Sequence, residues 1–332
     1  MRRKGRWPGA SHGARRWAAL LLLSVGARAG AAQGATATCR PDGVTTHRSP
    51  RGIAYEVIGC GPAVLILHGF SVDRRMWRDL TPTWRTHAQL VLVDLPSHGA
   101  SATAVAGTDP VDDLLSILRD EQLERVAIIG HSAGAALAVD LAARASGRVS
   151  ALILLSPSIT GFASRTPVDL SAVAQRVRAG DPTGAAEAWL ATSVMRTNLA
   201  PARSSWFKDL VRDNTRVWQL DGGRAPRPRA SVDERLASLR MPVFVGDGAL
   251  DSAGTHEVSH AIASAQPRAR HERFGDAGHW FPVERPEVIS ALVLDFLLGT
   301  WCRPRRASPV TSCPSGPSAG ESGRLAESSP HR

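Results

Sequence analysis

The sequence predicts an α/β fold with a doubly wound, mostly parallel sheet, helices on both faces and a helical cap insertion. Apolar, β-branched runs of five to seven residues alternate with longer helical patterns. Their near-continuous hydrophobicity is what strands covered on both faces of a parallel sheet require. The alternation is interrupted once, by a long segment of helical patterns without a convincing strand, which predicts the insertion.

The predicted strands cover residues 53–59, 63–69, 90–95, 126–130, 150–156 and 242–248. The predicted helices between and after them cover residues 74–84, 110–123, 133–145 and 287–298. In an open sheet of this kind, ligands bind beyond the carboxyl ends of the strands. We therefore expect the functional side chains in the loops that follow the strands.

The 332 residues are 43% apolar, which supports a substantial core. We predict the α/β domain at residues 40–300 and the cap at 157–230, the latter ending in the proline-rich linker RAPRPRA. The tail, 303–332, is rich in Ser, Pro, Gly and Arg and poor in large apolar residues, so we expect it to be disordered.

The first residues have the order of a secretory signal peptide. Several Arg and Lys residues precede the apolar run WAALLLLSV at 17–25, and small residues follow it. This run is shorter than the roughly 20 residues that span a bilayer. The sequence therefore predicts a signal peptide at about 1–32, no stable membrane anchor, and export to the periplasm or the extracellular space.

The formal net charge of +10 lies in the ends of the chain. Twelve of the 40 Lys and Arg residues, but only two of the 30 acidic residues, fall in 1–38 and 303–332. The segment between them is balanced, at 28 basic and 28 acidic residues. Because a nucleic-acid-binding surface needs a concentrated positive charge, no nucleic-acid partner is expected.

Four cysteines, Cys39, Cys60, Cys302 and Cys313, are spaced without a C-x-x-C pair. This spacing indicates neither a zinc site nor a thioredoxin-like site. An oxidising compartment would allow disulfides, and three full pairings remain open. The sequence also lacks a metal-ligand cluster, a P-loop and a dinucleotide fingerprint, so we predict no metal and no cofactor.

The motif GHSAG at 130–134 follows a predicted strand and precedes a helix of small residues. A sharp strand-to-helix turn of this form exposes the hydroxyl of its central serine. Gly130 and Gly134 leave room where strand and helix approach closely. The alternative is a serine in a glycine-rich turn, so Ser132 needs a base, an acid and an oxyanion site elsewhere in the chain.

Five segments in register resemble the α/β-hydrolase superfamily, in particular its small capped esterases. They are LHGFSVDRRMW at 67–77, VDLPSHGAS at 93–101, IGHSAG at 129–134, PVFVGDGALD at 242–251 and GDAGHW at 275–280. The resemblance implies the α/β-hydrolase fold and a nucleophile, acid and histidine in that chain order. A serine nucleophile distinguishes the chain from relatives that use an aspartate, the haloalkane dehalogenases and epoxide hydrolases.

By this resemblance, Ser132 is the nucleophile, Asp251 the acid and His279 the base. Asp251 comes just after a predicted strand, and nearby Asp247 is a competitor for its role. His279 follows Gly278 in a loop before the last helix. A serine hydroxyl needs a base to take its proton, and that base needs an acid to hold its tautomer.

Three other histidines belong to the matching motifs, and we assign scaffolding roles to them: His68, His98 and His131. The developing oxyanion needs two backbone N–H donors. The resemblance assigns these to Ala133, which follows the nucleophile, and to Phe70, which follows His68-Gly69.

The function predicted from these residues is ester hydrolysis of a small-molecule acyl substrate through an acyl-enzyme. Hydrolysis of a C–C, peptide or lactone bond, acyl transfer, and a non-catalytic ligand-binding role on the same fold stay open as alternatives. Candidate substrate-binding residues are Trp189, Trp206 and Trp218 in the cap and Trp280 beside the base. Buried anchors of the cap are the alternative role for the three cap tryptophans.

Overall fold

The computed structural model describes residues 40–219 and 228–302. Eight strands form one sheet in the order β1-β2-β4-β3-β5-β6-β7-β8. Their bounds are β1 Arg40–Arg48, β2 Ala54–Gly59, β3 Ala63–Leu67, β4 Gln89–Val93, β5 Val126–His131, β6 Val149–Leu155, β7 Val243–Gly248 and β8 Arg270–Phe274. The predicted signal peptide, the predicted disordered tail and most of the linker lie outside the described residues.

The sheet confirms the predicted fold class. Strand β2 runs antiparallel to β1 and β4, and every other neighbouring pair is parallel. The six predicted strands correspond to β2 through β7. Within β3, Val64 and Ile66 face one apolar layer while Leu65 and Leu67 face the other, and all four are fully buried. Burial on both faces is why these strands have continuous apolar runs.

The two edge strands, β1 and β8, were not predicted from the sequence. Their sequences, RPDGVTTHR and RHERF, contain charged and polar residues in place of an apolar run. Each pairs on one side only. Charged side chains on an edge strand discourage pairing with another chain. The same charged composition is why a search for apolar runs does not detect these two strands.

Helices cover both faces of the sheet, and four of them lie between β6 and β7 along the chain. Their bounds are α1 Thr81–Trp84, α2 Pro110–Asp120, α3 Ala133–Arg144, α4 Ser171–Arg178, α5 Pro182–Leu190, α6 Pro201–Asp213, α7 Val232–Ser238, α8 Ala253–Ala265, α9 Phe281–Glu284 and α10 Pro286–Trp301. Short 3₁₀ turns occur at Arg74–Trp77, Ser146–Arg148, Ser193–Met195 and Thr215–Trp218. Helices α4, α5 and α6 lie in the predicted insertion, whereas α7, α8 and the short α9 had no counterpart among the predicted helices.

The cap consists of α4, α5, α6 and the 3₁₀ turns beside them. Its buried residues, such as Trp189, Phe207 and Leu210, belong to the same apolar cluster as Ile66 on one face of the sheet. Burying large aromatic and aliphatic side chains in a shared cluster stabilises the contact by a few kcal/mol per residue, on the order of 1.5–3. The cap is therefore packed onto the core through a common hydrophobic layer.

Both cysteines in the described part of the chain, Cys60 and Cys302, are disulfide-bonded. The other two, Cys39 and Cys313, lie outside it. None of the helices in residues 40–219 and 228–302 combines the length and the apolar composition that crossing a bilayer requires.

Candidate active site

The site lies where the strand order reverses. Strand β3 has β4 on one side and β5 on the other, so the chain winds in opposite directions from this point. A crevice forms there at the carboxyl ends of the strands. The loops after β3, β5, β7 and β8 carry Phe70, Ser132, Asp251 and His279 respectively.

Ser132 occupies a strained turn between β5 and α3. Its φ of 51° and ψ of −113° lie in a region that side chains with a Cβ rarely adopt. A Cβ on Gly130 would come within 2.6 Å of the Gly134 carbonyl oxygen, and one on Gly134 within 2.5 Å of the Leu67 carbonyl oxygen. The two glycines therefore allow the close approach of helix and strands that holds the serine in this conformation.

A continuous hydrogen-bonded chain joins the three side chains assigned by the resemblance. The Ser132 hydroxyl donates to His279 Nε2 over 2.9 Å. His279 Nδ1 donates to Asp251, with 2.9 Å to Oδ1 and 3.0 Å to Oδ2. The structure thus brings together Ser132, His279 and Asp251, which lie far apart in sequence, in the geometry that proton transfer from a serine requires.

The electrostatics keep Asp251 ionised. Burial of its side chain, which is fully enclosed, opposes the charge. The positive charge that His279 carries in its protonated form and its hydrogen bond to the carboxylate outweigh this effect and lower the pKa of Asp251 to about 2. The N–H of Ser252 adds a further hydrogen bond of 2.6 Å to Oδ1. A charged carboxylate beside Nδ1 leaves Nε2 free to accept the serine proton.

The competing aspartate, Asp247, has different partners. Its buried carboxylate accepts hydrogen bonds from His271 Nε2 at 3.0 Å and from Arg273 Nη2 at 2.8 Å. Both partners belong to the neighbouring strand β8. Asp247 therefore joins β7 to β8, while Asp251 faces His279.

The loops that carry the acid and the histidine are fastened to each other. Leu250 N donates to the Ala277 carbonyl at 3.0 Å, and a Cβ on Gly248 would collide with the carbonyl oxygens of Ala277 and Gly278. On the other side, the Glu284 carboxylate accepts the N–H of Gly278 at 3.1 Å. Burial raises the pKa of Glu284, and the bond to Gly278 opposes that rise. The two residues that precede His279 are thus held by the backbone of the loop after β7 and by the side chain of Glu284.

Two backbone N–H groups are available for an oxyanion. Ala133 is the first residue of α3, where the positive end of the helix dipole favours negative charge. Phe70 lies in the loop after β3. Within residues 40–219 and 228–302, neither N–H donates to a protein acceptor.

The three motif histidines are buried, and each ring bonds to the backbone. His68 Nδ1 donates to the Gly69 carbonyl at 2.7 Å, and its Nε2 accepts from Leu95 N at 2.9 Å. His131 Nε2 donates to the carbonyl of His279 at 2.9 Å. Burial lowers the pKa of His68 to about 4 and that of His131 to about 3. These contacts are those of neutral rings that support the loops around the site.

His98 supports the loop that carries Phe70. Its Nδ1 donates to the Pro96 carbonyl at 2.9 Å, and its Nε2 accepts the N–H of Ser71 at 3.2 Å. Burial lowers the pKa of His98 to about 3, which keeps Nε2 unprotonated and able to accept.

The four tryptophans occupy different surroundings. Trp280 is only 1% exposed, and its indole N–H donates to the Val194 carbonyl at 3.0 Å. It thus has almost no surface for a substrate to contact. Trp206 is half-buried, with the Arg78 guanidinium stacked 4.1 Å from its ring. Trp189 and Trp218 are buried and pack edge-on against Phe70, with ring centroids at 5.7 Å and 5.0 Å.

Glu284 and Ser71 were not predicted from the sequence. Both support the backbone of the site without contacting the hydrogen-bonded side chains of Ser132, His279 and Asp251. Glu284 acts through the backbone of Gly278. Ser71 follows the expected oxyanion donor and adopts a φ of 70°. No local pattern marks either residue, because their roles arise from contacts between distant segments.

The described residues contain no group of three or more His, Cys, Asp or Glu side chains arranged to hold a metal ion. The side chains that the structure joins by hydrogen bonds at the site are those of Ser132, His279 and Asp251.

Comparison with known proteins agrees with this fold. The model of the alpha/beta hydrolase family matches residues 64–292. The chain is similar to the AB hydrolase superfamily protein YisY of Bacillus subtilis, at 24% identity over 73% of this chain and 93% of the relative. It is also similar to the pimeloyl-[acyl-carrier protein] methyl ester esterase of Pectobacterium atrosepticum, at 26% identity over 73% and 97% of the two chains.

Among solved structures, a thermophilic esterase from Thermogutta terrifontis has the same fold. The TM-score is 0.64 at 23% identity, with 78% of this chain and 99% of the esterase covered. Since the family model spans more than half of the chain, the protein belongs to the alpha/beta hydrolase family and is an esterase-like member of it.

Proposed function

We propose that this protein is an exported serine hydrolase that cleaves a carboxylic ester of a small-molecule acyl substrate through an acyl-enzyme. The observation that carries the proposal is the unbroken chain of hydrogen bonds from Asp251 through His279 to Ser132. It ends in a serine held on a strained turn at a helix N-terminus.

In the first half of the reaction, Ser132 Oγ attacks the acyl carbonyl while His279 Nε2 takes the hydroxyl proton. Asp251 stabilises the imidazolium that forms. A tetrahedral intermediate results, and its negative oxygen accepts hydrogen bonds from the N–H groups of Phe70 and Ala133. Loss of one such donor typically costs about 3 kcal/mol in the transition state.

The intermediate collapses when the C–O bond of the ester breaks and His279 gives its proton to the departing alkoxide. An acyl group then remains on Ser132. Water attacks this ester with His279 as the base, and a second tetrahedral intermediate releases the carboxylic acid and restores the serine hydroxyl. Each half-reaction therefore uses the same three side chains and the same two backbone donors.

An ester is favoured as substrate for two reasons. An ester carbonyl is less stabilised by resonance than a peptide carbonyl, and an alkoxide leaves more readily than an unprotonated amide nitrogen, so an ester demands least of this machinery. The Pectobacterium relative is, by its name, a methyl ester esterase. No metal or organic cofactor takes part in the proposed steps.

The test is labelling and turnover of the purified protein. A fluorophosphonate probe is expected to modify Ser132, located by peptide mass spectrometry, and p-nitrophenyl esters of increasing acyl length are expected to be hydrolysed. Ser132→Ala should lose both, with kcat falling on the order of 10⁶-fold. If the wild-type protein neither labels nor hydrolyses any ester while Ser132→Ala keeps affinity for acyl compounds, a binding protein replaces the enzyme.

Export is supported by the leader-like sequence at 1–32 and by the disulfide bonds of Cys60 and Cys302. Disulfides persist in the periplasm and outside the cell, and they are rare in the cytosol. The check is the N-terminal sequence of protein isolated from the periplasm or medium. Mature protein beginning near residue 30 supports export, and full-length protein confined to the cytosol contradicts it.

A further inference from the structure

The loop after β3 needs support from outside itself. Ser71 adopts a φ of 70°, a left-handed conformation that residues with a Cβ adopt at an energetic cost. Its neighbour Phe70 carries the N–H that the proposed mechanism uses. Because the direction of this N–H depends on the local backbone angles, whatever holds Ser71 in place also holds the oxyanion donor.

Two hydrogen bonds hold Ser71, and they come from different parts of the molecule. Its N–H donates to His98 Nε2 at 3.2 Å, and His98 belongs to the loop after β4. Its Oγ accepts the indole N–H of Trp189 at 2.7 Å, and Trp189 belongs to α5 of the cap. Ser71 is fully buried, so water does not compete for either bond.

The ring of Phe70 meets the same two residues. It makes edge-on contacts with His98 and Trp189, each with ring centroids 5.7 Å apart. A third edge-on contact, at 5.0 Å, comes from Trp218 at the end of the cap. Edge-to-face pairs of this kind are favourable because the positive edge of one ring meets the negative face of the other. Phe70 and Ser71 are thus both held by His98 on one side and by the cap on the other.

We propose that Trp189 is a positioning residue of the oxyanion site, which holds the Phe70 N–H in place through its hydrogen bond to Ser71 and its ring contact with Phe70. This inference rests on the proposed function, in which Phe70 N–H binds the oxyanion. Trp189 is 9% exposed and its N–H is already bonded, so its role differs from that of a pocket wall.

A consequence is that the cap takes part in forming the catalytic site. A backbone donor contributes to catalysis only when it points at the developing charge before the reaction begins. Since one of the two residues that hold Ser71 belongs to α5, displacement of the cap would disturb the oxyanion site as well as uncover the serine.

The test compares Trp189→Phe with Ser71→Ala. Trp189→Phe keeps an aromatic ring and removes the N–H donor, and Ser71→Ala removes the acceptor. For p-nitrophenyl acetate we expect kcat to fall about tenfold in each, less than the 10²–10³-fold cost of losing an oxyanion donor altogether, with KM within about twofold. The double variant should be no slower than the slower single variant, because both remove the same bond.

The matched control is Trp301→Phe, since Trp301 is a half-buried tryptophan at the end of α10, outside the cap and the loop after β3. It should keep wild-type kcat. Inhibition by phenyl trifluoromethyl ketone, which forms a tetrahedral adduct with serine, should weaken about as much as kcat in Trp189→Phe and Ser71→Ala and remain unchanged in Trp301→Phe. Thermal unfolding of each variant establishes that it is folded.

A second readout does not depend on turnover. Hydrogen–deuterium exchange of a peptide covering residues 68–72 should be severalfold faster in Trp189→Phe than in the wild type or Trp301→Phe. If the wild type lacks esterase activity but this exchange difference is present, the proposed function fails while the support of the loop by Trp189 stands. Wild-type kcat and exchange in Trp189→Phe, or additive losses in the double variant, overturn the role of Trp189.

Discussion

Two aspartates, four positions apart in the sequence, each bond to a histidine, and only one of the two pairs leads to a serine. Asp251 bonds to His279 at 2.9 Å and Asp247 bonds to His271 at 3.0 Å, and both carboxylates are buried. By the aspartate–histidine distance and the burial of the carboxylate, the two pairs are nearly the same. An aspartate–histidine contact is therefore insufficient to identify an active site.

The difference lies in what else each pair contacts. Asp247 also binds Arg273, its direct partner across the parallel pairing of β7 and β8, and His271 is 29% exposed. His279 is 7% exposed and its second nitrogen accepts from Ser132. The first pair joins two strands, whereas the second leaves a basic nitrogen directed at a hydroxyl.

The largest expected difference between the pairs is in the histidines. His279→Ala should lower kcat on the order of 10⁶-fold, since it removes the base for both half-reactions. His271→Ala should stay within about twofold of the wild type. Hydrolysis of p-nitrophenyl acetate measures both. Comparable losses in the two variants would show that the two pairs are functionally linked.

Substitution of the two aspartates should affect different properties, activity for Asp251 and stability for Asp247. Asp251→Asn is expected to reduce kcat about 10⁴-fold, because an amide favours the wrong tautomer of His279. Asp247→Asn should retain activity and lower the free energy of unfolding by about 2 kcal/mol, since it weakens hydrogen bonds to charged partners. Kinetics and urea unfolding separate these results. An inactive but fully stable Asp247→Asn protein contradicts the assignment of the two roles.

The backbone around the two histidines provides a third comparison. His271 lies within a strand, but His279 lies in a loop that Glu284 fastens by accepting the Gly278 N–H. Glu284→Ala should lower kcat about tenfold, because a small displacement of a reacting group is costly. Glu284→Gln keeps an acceptor oxygen and should stay within about twofold.

The control for Glu284 is Glu287→Ala, an exposed carboxylate on α10, which should match the wild type. Equal losses in Glu284→Ala and Glu284→Gln would show that the charge of Glu284, rather than its hydrogen bond, supports the site.

The histidines that have no carboxylate partner provide the last comparison, and the effect expected of them is on stability. Burial lowers the pKa of His68, His98 and His131 to between about 3 and 4. In the unfolded chain these rings take up protons below about pH 6.5. Their contribution to the free energy of unfolding is complete above that pH and is lost as the pH falls from about 6.5 towards 3–4.

Thermal unfolding between pH 7 and 4 measures this loss as a falling Tm. Replacing His98 by Asn, which does not titrate, should make the fall shallower. An unchanged slope in His98→Asn would mean that this ring is protonated to the same extent in both states.

The sequence predicted the central strands and the chemical groups for different reasons. Strands β2 to β7 were found because burial on both faces requires apolar runs, whereas β1 and β8 are charged edge strands and have no such run. Ser132, Asp251 and His279 were found because their motifs recur in a fixed order in the family. The structure then placed the three in one hydrogen-bonded chain.

The supporting residues could not be found in this way. Ser71, Trp189 and Glu284 act through contacts between segments that are distant in sequence, such as the 118 positions between Trp189 and Ser71. Trp189 was predicted as a candidate substrate contact because aromatic residues in a cap suggest a pocket. Its bond to Ser71 depends on how the cap packs on the core, which no single segment encodes.

The positive φ of Ser132 has a consequence for how this protein can evolve. Strain of this kind costs on the order of 1–3 kcal/mol, a sizeable fraction of the roughly 5–15 kcal/mol by which a folded domain is stable. A glycine, which lacks a Cβ, would relieve the strain but would have no hydroxyl. Stability and reactivity are therefore opposed at this position, and selection for a more stable fold alone would remove the side chain on which the proposed chemistry depends.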